Sequence, residues 1–274
     1  MIIGSHLDVD HIGGLLAVVK HCSFDHFHLN LPPDVQKLLY GISLAKSAGK
    51  KTGALWDRVE KSLSTAVDLL ELLHEKGVQP APILAGNYLS IGNTQLNVLN
   101  PIPERLLDAW ADIEDEEPFA KSLARTISEL MGEAPETSAE NNSSVVIEVI
   151  YNALPYALLT ADAGADVLRE VTKGKQYPIL KVSHHASKTG LDENLVKTLR
   201  PEIACIPVGK NSYGHPSKEV LDLLGSVGTT IYCSEKVDDC RSGCPSMDSR
   251  TVCFRKDRPL RMGWGTAPYC KMVK

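Results

Sequence analysis

The hydrophobic pattern changes period several times along the chain. Ile12 to Lys20 reads as a helix, with Gly13-Gly14 letting the backbone pack close. Leu29-Asn30-Leu31-Pro32-Pro33 reads as a short strand running into a turn. From Asp34 to about Lys76 apolar residues recur at helical spacing, first at Val35, Leu38, Leu39 and Ile42, then over a second stretch from Trp56 to Leu73. Gly77, followed by Pro80 and Pro82, ends that run. Short strands are predicted at Tyr88–Ile91 and Thr94–Leu99, with Asn100-Pro101 closing the unit.

Glu104 to Asn142 is acidic, helical in part, and too polar for a core of its own, so it reads as an insertion. Val145–Ile150 and Tyr156–Thr160 form a hairpin around Asn152-Ala153-Leu154-Pro155. Strands then alternate with helices. The strands fall at Ile179–Val182, Ile203–Val208 and Thr229–Cys233, and the helices at Asp166–Lys173, Glu193–Leu199 and Lys218–Leu224. This order fits an α/β (α+β) helix-sheet-sheet-helix sandwich better than a doubly wound parallel sheet. One domain is expected over residues 1–235, with helical segments at 34–76 and 104–140, followed by a Cys-rich tail at 236–274.

Composition changes little in this picture. The 274 residues are 43% hydrophobic and 23% charged, as in ordinary globular proteins. A net charge of −5 argues against wholesale wrapping of nucleic acid but leaves room for a local basic groove. No apolar run reaches the roughly 18 residues of a membrane span, and Met-Ile-Ile-Gly-Ser-His has no signal-peptide character. The expected location is cytoplasmic. Cys22 and Cys205 read as small core residues. Cys240-x3-Cys244, with Cys253 and Cys270, is a candidate structural Zn²⁺ set whose irregular spacing sits as well with free thiols.

The chemistry concentrates in four segments. His6, Asp8, Asp10 and His11 fall within six positions at a strand-to-helix junction, which aims several side chains at one pocket. Imidazole with carboxylate suits Zn²⁺ or Mn²⁺. Asp162 ends the apolar run Tyr156–Thr160, where an acid faces a cleft; taken alone it would more often be a helix cap. His184-His185 end the strand Ile179–Val182, and adjacent residues there point in different directions, so one can bind metal while the other meets substrate. The loop Gly209-Lys210-Asn211-Ser212-Tyr213-Gly214-His215-Pro216 adds a Lys and a His before a helix near Ser217; its bland reading is a Gly/Pro turn with a Ser cap.

Together and in this order, these segments resemble the ComEC/Rec2-like branch of metallo-β-lactamase-fold hydrolases. Ser5-His6-Leu7-Asp8-Val9-Asp10-His11-Ile12-Gly13-Gly14 looks like its His-x-Asp-x-Asp-His signature. Asn141–Val146, Leu158–Gly164, Leu180–Thr189 and Val208–Pro216 resemble its later blocks. The resemblance implies a metallo-β-lactamase-type αββα sandwich and a nuclease or phosphodiesterase using water activated by one or two divalent ions, Zn²⁺ or Mn²⁺. It implies metal ligands at His6, Asp8, Asp10 and His11, a bridging acid at Asp162, and a late ligand at His185 or His184, with His185 favoured. Asp10 holds a metal or orients the water, while Lys188, Lys210 and His215 offset charge on the substrate, Lys188 and His215 taking part in catalysis.

Two departures from the family pattern bear on these expectations. The family has a His where Asn141-Asn142 stands, so one metal position is expected to be weaker or filled by a harder ion such as Mn²⁺. It also carries strands before the first motif, so the sheet is expected to lack them, with three alternatives open: a protein partner completes it, the start is incorrectly assigned, or an edge stays exposed. Nucleic acid is the expected substrate. Hydrolysis of a small-molecule ester, amide or lactone is the second enzymatic reading, and a catalytically weak, partner-binding subunit is the third.

Overall fold

The computed structural model describes residues 1–31, 54–110 and 139–234. The expected helical character of residues 34–53 and 111–138 lies outside them, as do the Cys-rich tail and its candidate zinc set.

In chain order the elements are β1 (Ile2–Ile3), α1 (Val9–His21), β2 (Phe27–His28), α2 (Ala54–Glu75), β3 (Pro80–Ala81), β4 (Tyr88–Ile91), β5 (Thr94–Asn100), α3 (Pro103–Trp110), α4 (Ala139–Asn142), β6 (Val146–Tyr151), β7 (Leu154–Leu159), α5 (Ala165–Thr172), β8 (Ile179–Lys181), a 3₁₀ turn (Ser183–Ala186), α6 (Glu193–Leu199), β9 (Ile203–Ile206), α7 (Lys218–Ser226) and β10 (Thr230–Cys233). Two sheets form among the described residues, a small one ordered β1-β2-β3 and a large one ordered β10-β9-β8-β7-β6-β5-β4. The small sheet is parallel throughout. In the large sheet β4 to β7 run antiparallel and β7 to β10 parallel.

Three apolar clusters fix the layer order. Ile12 and Val19 of α1 and Leu63, Ala66, Leu69 and Leu73 of α2 pack with Phe27 of the small sheet and with Leu29 just past it. Ile83, Val98, Val145 and Ile147, with Ile3 against them, fill the space between the sheets. Leu158, Leu180 and Ala204 of the large sheet pack with Val167, Leu168, Leu195, Leu199 and Leu224 of α5, α6 and α7. The result is the expected α/β sandwich with helices on both outer faces and the sheets between, each apolar face covered by the next layer.

Several boundaries differ from the hydrophobic pattern for identifiable reasons. Of the strand expected at Leu29–Pro33, the described part, Leu29–Leu31, lies past the end of β2 at His28, and Asn30 there bonds through its side chain. Its Nδ2 donates to Ile83 O (2.8 Å) and its Oδ1 accepts from Ile83 N (2.9 Å), replacing a ladder by an amide. The β6–β7 hairpin turns through Asn152 and Ala153, both at positive φ, and Pro155 lies within β7 at a register irregularity. Gly13 and Gly14 do not serve close packing: a Cβ at Gly13 would meet only Val9 at 3.8 Å, and one at Gly14 would meet nothing within 4 Å. The close approach is at Gly4, where a Cβ would lie 2.6 Å from Leu29 Cδ1. Cys22, expected in the core, is exposed, since it caps α1 where the chain turns outward.

No helix among the described residues is long and apolar enough to cross a membrane.

Candidate functional site

The motif loop is held between the two sheets. Gly4 N donates to His28 O of β2, and one residue on, Ser5 O accepts from Val145 N at the start of β6 (3.0 Å). His6 and Leu7 are buried behind this tie. Asp8 occupies the N-cap of α1, yet its side chain makes no capping bond. Asp10 and His11 lie in the first turn, where the helix dipole favours negative charge.

On the opposite side, β7 and β8 are parallel neighbours and deliver their following residues to the same edge. Ala161 adopts a left-handed conformation (φ 45°), so the chain turns sharply and Asp162 is carried inward, 2% exposed. After β8, His184, His185 and Ala186 are all left-handed, with φ of 47°, 53° and 64°. Three consecutive non-glycine residues in that region cost of order 1–3 kcal/mol each and persist only where surroundings impose them. Those surroundings are explicit. His184 N donates to Ala161 O, Ser183 Oγ to Ala163 O, and Ser217 N to Ala186 O. Gly190 packs so tightly on Ser183 that a Cβ would lie 2.9 Å from its Cβ.

Three imidazoles and two carboxylates converge from these elements. His11 Nε2 lies 3.3 Å from Asp162 Oδ2 and 3.7 Å from Asp10 Oδ2. His185 Nε2 lies 3.0 Å from Asp10 Oδ2 and 3.7 Å from Asp162 Oδ2. His6 Nε2 lies 4.0 Å from Asp162 Oδ2 and 3.8 Å from Asp8 Oδ2. His6, His11 and Asp162 form one group able to hold a metal ion, and Asp10, His11 and His185 form another.

The far ring nitrogens settle which atoms face inward. His185 Nδ1 donates to the Pro207 carbonyl (2.6 Å), which turns Nε2 inward against Asp10 Oδ2 at 3.0 Å. Ser5 Oγ meets Nδ1 of both His6 (3.2 Å) and His11 (3.1 Å), directing both Nε2 atoms to the same centre. His6 Nε2, His11 Nε2 and Asp162 Oδ1 are buried without a hydrogen-bond partner. Metal–ligand bonds of about 2.0–2.2 Å put neighbouring donors about 3–3.6 Å apart, close to the spacings found here. Orphaned inward donors at this separation fit a divalent ion; the donor set does not identify which.

Electrostatics keep His6, Asp10 and Asp162 deprotonated, whereas the bond to Asp10 favours the protonated form of His185. Burial lowers the His6 pKa to about 3, with His11 adding to the effect. The His185 hydrogen bond holds Asp10 at about 2, and the same bond raises His185. Burial works against the charge on Asp162, but contact with His11 and the nearby Lys181 outweigh it and keep its carboxyl far below the usual range. Burial lowers the pKa of Lys181, against the pull of Asp162.

The remaining candidates are placed differently. His184 turns from the cluster toward His215, ring centroids 5.5 Å apart, and Tyr213 stacks near-parallel on His215 at 6.1 Å. Nδ1 of both His184 and His215 is buried without a hydrogen-bond partner, and burial lowers both pKa values. Asn211 shapes this loop, its Oδ1 accepting from Tyr213 N and His215 N. Lys210 is exposed in the same loop. Lys188 forms an exposed ion pair with Glu219 of α7 (2.9 Å). Ser217 caps α7, as its loop's bland reading expects.

Two members of the site escaped the sequence reading. Ser5 belongs to the motif but is not a ligand type. Lys181 Nζ lies 3.6 Å from Asp162 Oδ1 and donates to Ala161 O (2.5 Å). Its signal was a lone charge inside the apolar run Ile179-Leu180-Lys181-Val182.

No family model matches the chain. Part of it is similar to Recombination protein 2 of Haemophilus influenzae, 36% identical over 91 residues, which are 32% of this chain and 11% of that protein.

Proposed function

We propose that the chain is a metal-dependent hydrolase acting on phosphodiesters of nucleic acid. The observation that carries this reading is the convergence of three inward-facing Nε2 atoms and two carboxylates on one point, with their far nitrogens held by Ser5 and Pro207. His6, Asp10, His11, Asp162 and His185 would hold a divalent ion, Zn²⁺ or Mn²⁺, with Asp8 beside His6. Such an ion supplies Lewis acidity and brings the pKa of water toward neutrality.

The chain's own residues supply the rest of the reaction. Asp10, the most exposed carboxylate of the group, orients the attacking water. His215, beside His184, is placed to contact the leaving oxygen. Lys210 and, on exchanging Glu219 for phosphate, Lys188 offset charge on the substrate. Similarity to a protein named for recombination supports nucleic acid as the substrate class; hydrolysis rests on the site alone.

The test is cleavage of labelled single- and double-stranded DNA and RNA with Mn²⁺, Zn²⁺, Mg²⁺ or EDTA, beside Asp10→Ala and Asp162→Ala. Metal-dependent cleavage, lost by about 10²-fold or more in both variants, is expected. Bound metal without cleavage of any nucleic acid would move the substrate to a small ester or amide, and absence of bound metal would end the reading.

A further inference from the structure

Beyond the metal-type cluster the rings continue as a row toward solvent. Ring centroids lie 6.3 Å apart from His185 to His184, 5.5 Å from His184 to His215 and 6.1 Å from His215 to Tyr213. The row ends in an open ring. Tyr213 is 70% exposed and lies near-parallel to His215, at 24°, so one side is given to the imidazole and most of the rest to water. A solvated aromatic side chain is ordinarily free to swing, but this one stands on a braced backbone. Asn211 spends both amide donors on Gly209 O (2.9 Å) and His215 O (2.7 Å), and its carbonyl on Tyr213 N (3.0 Å) and His215 N (3.1 Å), which is its whole hydrogen-bonding capacity. Gly214, between the two stacked residues, has a φ of 75°, a turn that a residue with a side chain rarely makes.

We propose that Tyr213 is a stacking platform for an unpaired base of single-stranded nucleic acid, on the leaving side of the phosphodiester. The proposal rests on the nucleic-acid reading above and adds the form of the strand and the residue that selects it. Every base has a flat π-face, so an aromatic ring takes any of them, and one such contact strengthens binding about tenfold. Inside a duplex both faces of a base are covered by its neighbours, so the platform is open to a single strand or a frayed end. A ring already held in place gives up little freedom when a base lands on it, which is what the Asn211 brace contributes. The surroundings suit a phosphate backbone: residues 209–216 carry Lys210 and no acid, although the whole chain has a net charge of −5. An open ring on a solvated loop also suits a polymer passing over it better than a small molecule, which is bound by enclosure.

Fluorescence anisotropy with labelled DNA of about 12 nucleotides, in EDTA so that nothing is cut, tests this without reference to activity. The probes are a single strand, its duplex and an abasic strand of the same length and charge. The wild-type chain is expected to bind the single strand about tenfold more tightly than the abasic one. Tyr213→Ala should lose that preference and Tyr213→Phe, which keeps the ring face, should retain it, while the duplex is bound alike by all three. A single strand carrying 2-aminopurine, whose emission falls when the base stacks, should be quenched by the wild type and by Tyr213→Phe but not by Tyr213→Ala. Equal single-strand affinity in the wild type and Tyr213→Ala would overturn the proposal, and so would an equal loss on the abasic strand, which would give the ring a role toward the backbone. Either result leaves the hydrolase reading standing if the wild type cleaves with metal. A wild-type chain that binds none of the three probes overturns the proposal, and if it also cleaves no nucleic acid with its ion loaded, the nucleic-acid reading falls with it.

Discussion

At the N-terminal motif a single hydroxyl oxygen serves two rings. Ser5 Oγ accepts from Nδ1 of His6 and His11 when both present Nε2 inward, so its two lone pairs set both tautomers. Ser5→Ala is therefore expected to weaken metal affinity by about 10–100-fold, read by competition with a chelating dye, while the urea midpoint of the metal-free protein stays close to wild type. Glu148 shows a different use of burial. It is 1% exposed and accepts from Lys175 (2.8 Å), Tyr177 (2.8 Å) and Asn97 (3.2 Å). Burial pushes its pKa up, but these bonds outweigh it and hold the carboxyl below its ordinary 4.5. A depressed carboxylate gives stability that is complete above its unfolded pKa and lost as pH falls through the folded one. Urea unfolding of the wild type should thus weaken below about pH 4.5. Glu148→Gln should cost about 1–3 kcal/mol at pH 7 and flatten that acid slope.

The ligand-type residues were legible because chemistry and spacing coincide in His6-x-Asp8-x-Asp10-His11 and because Asp162 and His185 end apolar strands. Which histidine of the pair turns inward was not legible. That depends on the Pro207 carbonyl and the left-handed turn, both set by contacts distant in sequence.

Among elements, the long ones announced themselves by period, and the two-residue strands β1, β2 and β3 had too few positions to show one. Side chains also stand in for backbone where no pattern could reveal it, as Asn30 does for Ile83. The hairpin between β6 and β7 carries a correctable imperfection. Both turn residues have positive φ, the geometry that favours Asn-Gly, yet Ala153 stands at the second position, exposed. Ala153→Gly should raise stability by about 0.5–1 kcal/mol, visible as a higher thermal midpoint. Glycines elsewhere divide by what surrounds them. Gly13→Ala and Gly14→Ala in α1 should each add about 0.5–1 kcal/mol, because neither Cβ meets a close neighbour. Gly190→Ala should cost about 1–3 kcal/mol and lower metal affinity, because it drives Ser183 out of the turn that aims His185.

At the scale of the molecule, the layer order was legible from the succession of elements, and the mixed direction of the large sheet reflects the hairpin preceding the strand–helix alternation. The site lies across a seam. His6, Asp10 and His11 come from the small-sheet side, and Asp162 and His185 from the large-sheet side, joined in the backbone by Ser5 and Val145. An ion bridging that seam would bind the folded chain alone, which would give about 4 kcal/mol when free metal is a thousand times the dissociation constant. EDTA should therefore lower the calorimetric midpoint of the wild type and leave Asp162→Ala unmoved. Equal midpoints with and without EDTA in the wild type would show that the ion adds nothing to stability.

The parallel half of the large sheet has a further consequence. β7, β8 and β9 all end on one edge, and the segments leaving those ends (Asp162, the His184–His185 turn, and the 209–216 loop with Lys210, Tyr213 and His215) open on the same side. Scaffold and selector are thereby separable. The carboxylate and imidazole are anchored by strand ends and buried turns, whereas the 209–216 loop is mostly exposed and shaped chiefly by its own Asn211. Such a layout lets the loop be changed, in length or in side chains, without moving the carboxylates and imidazoles held at the strand ends.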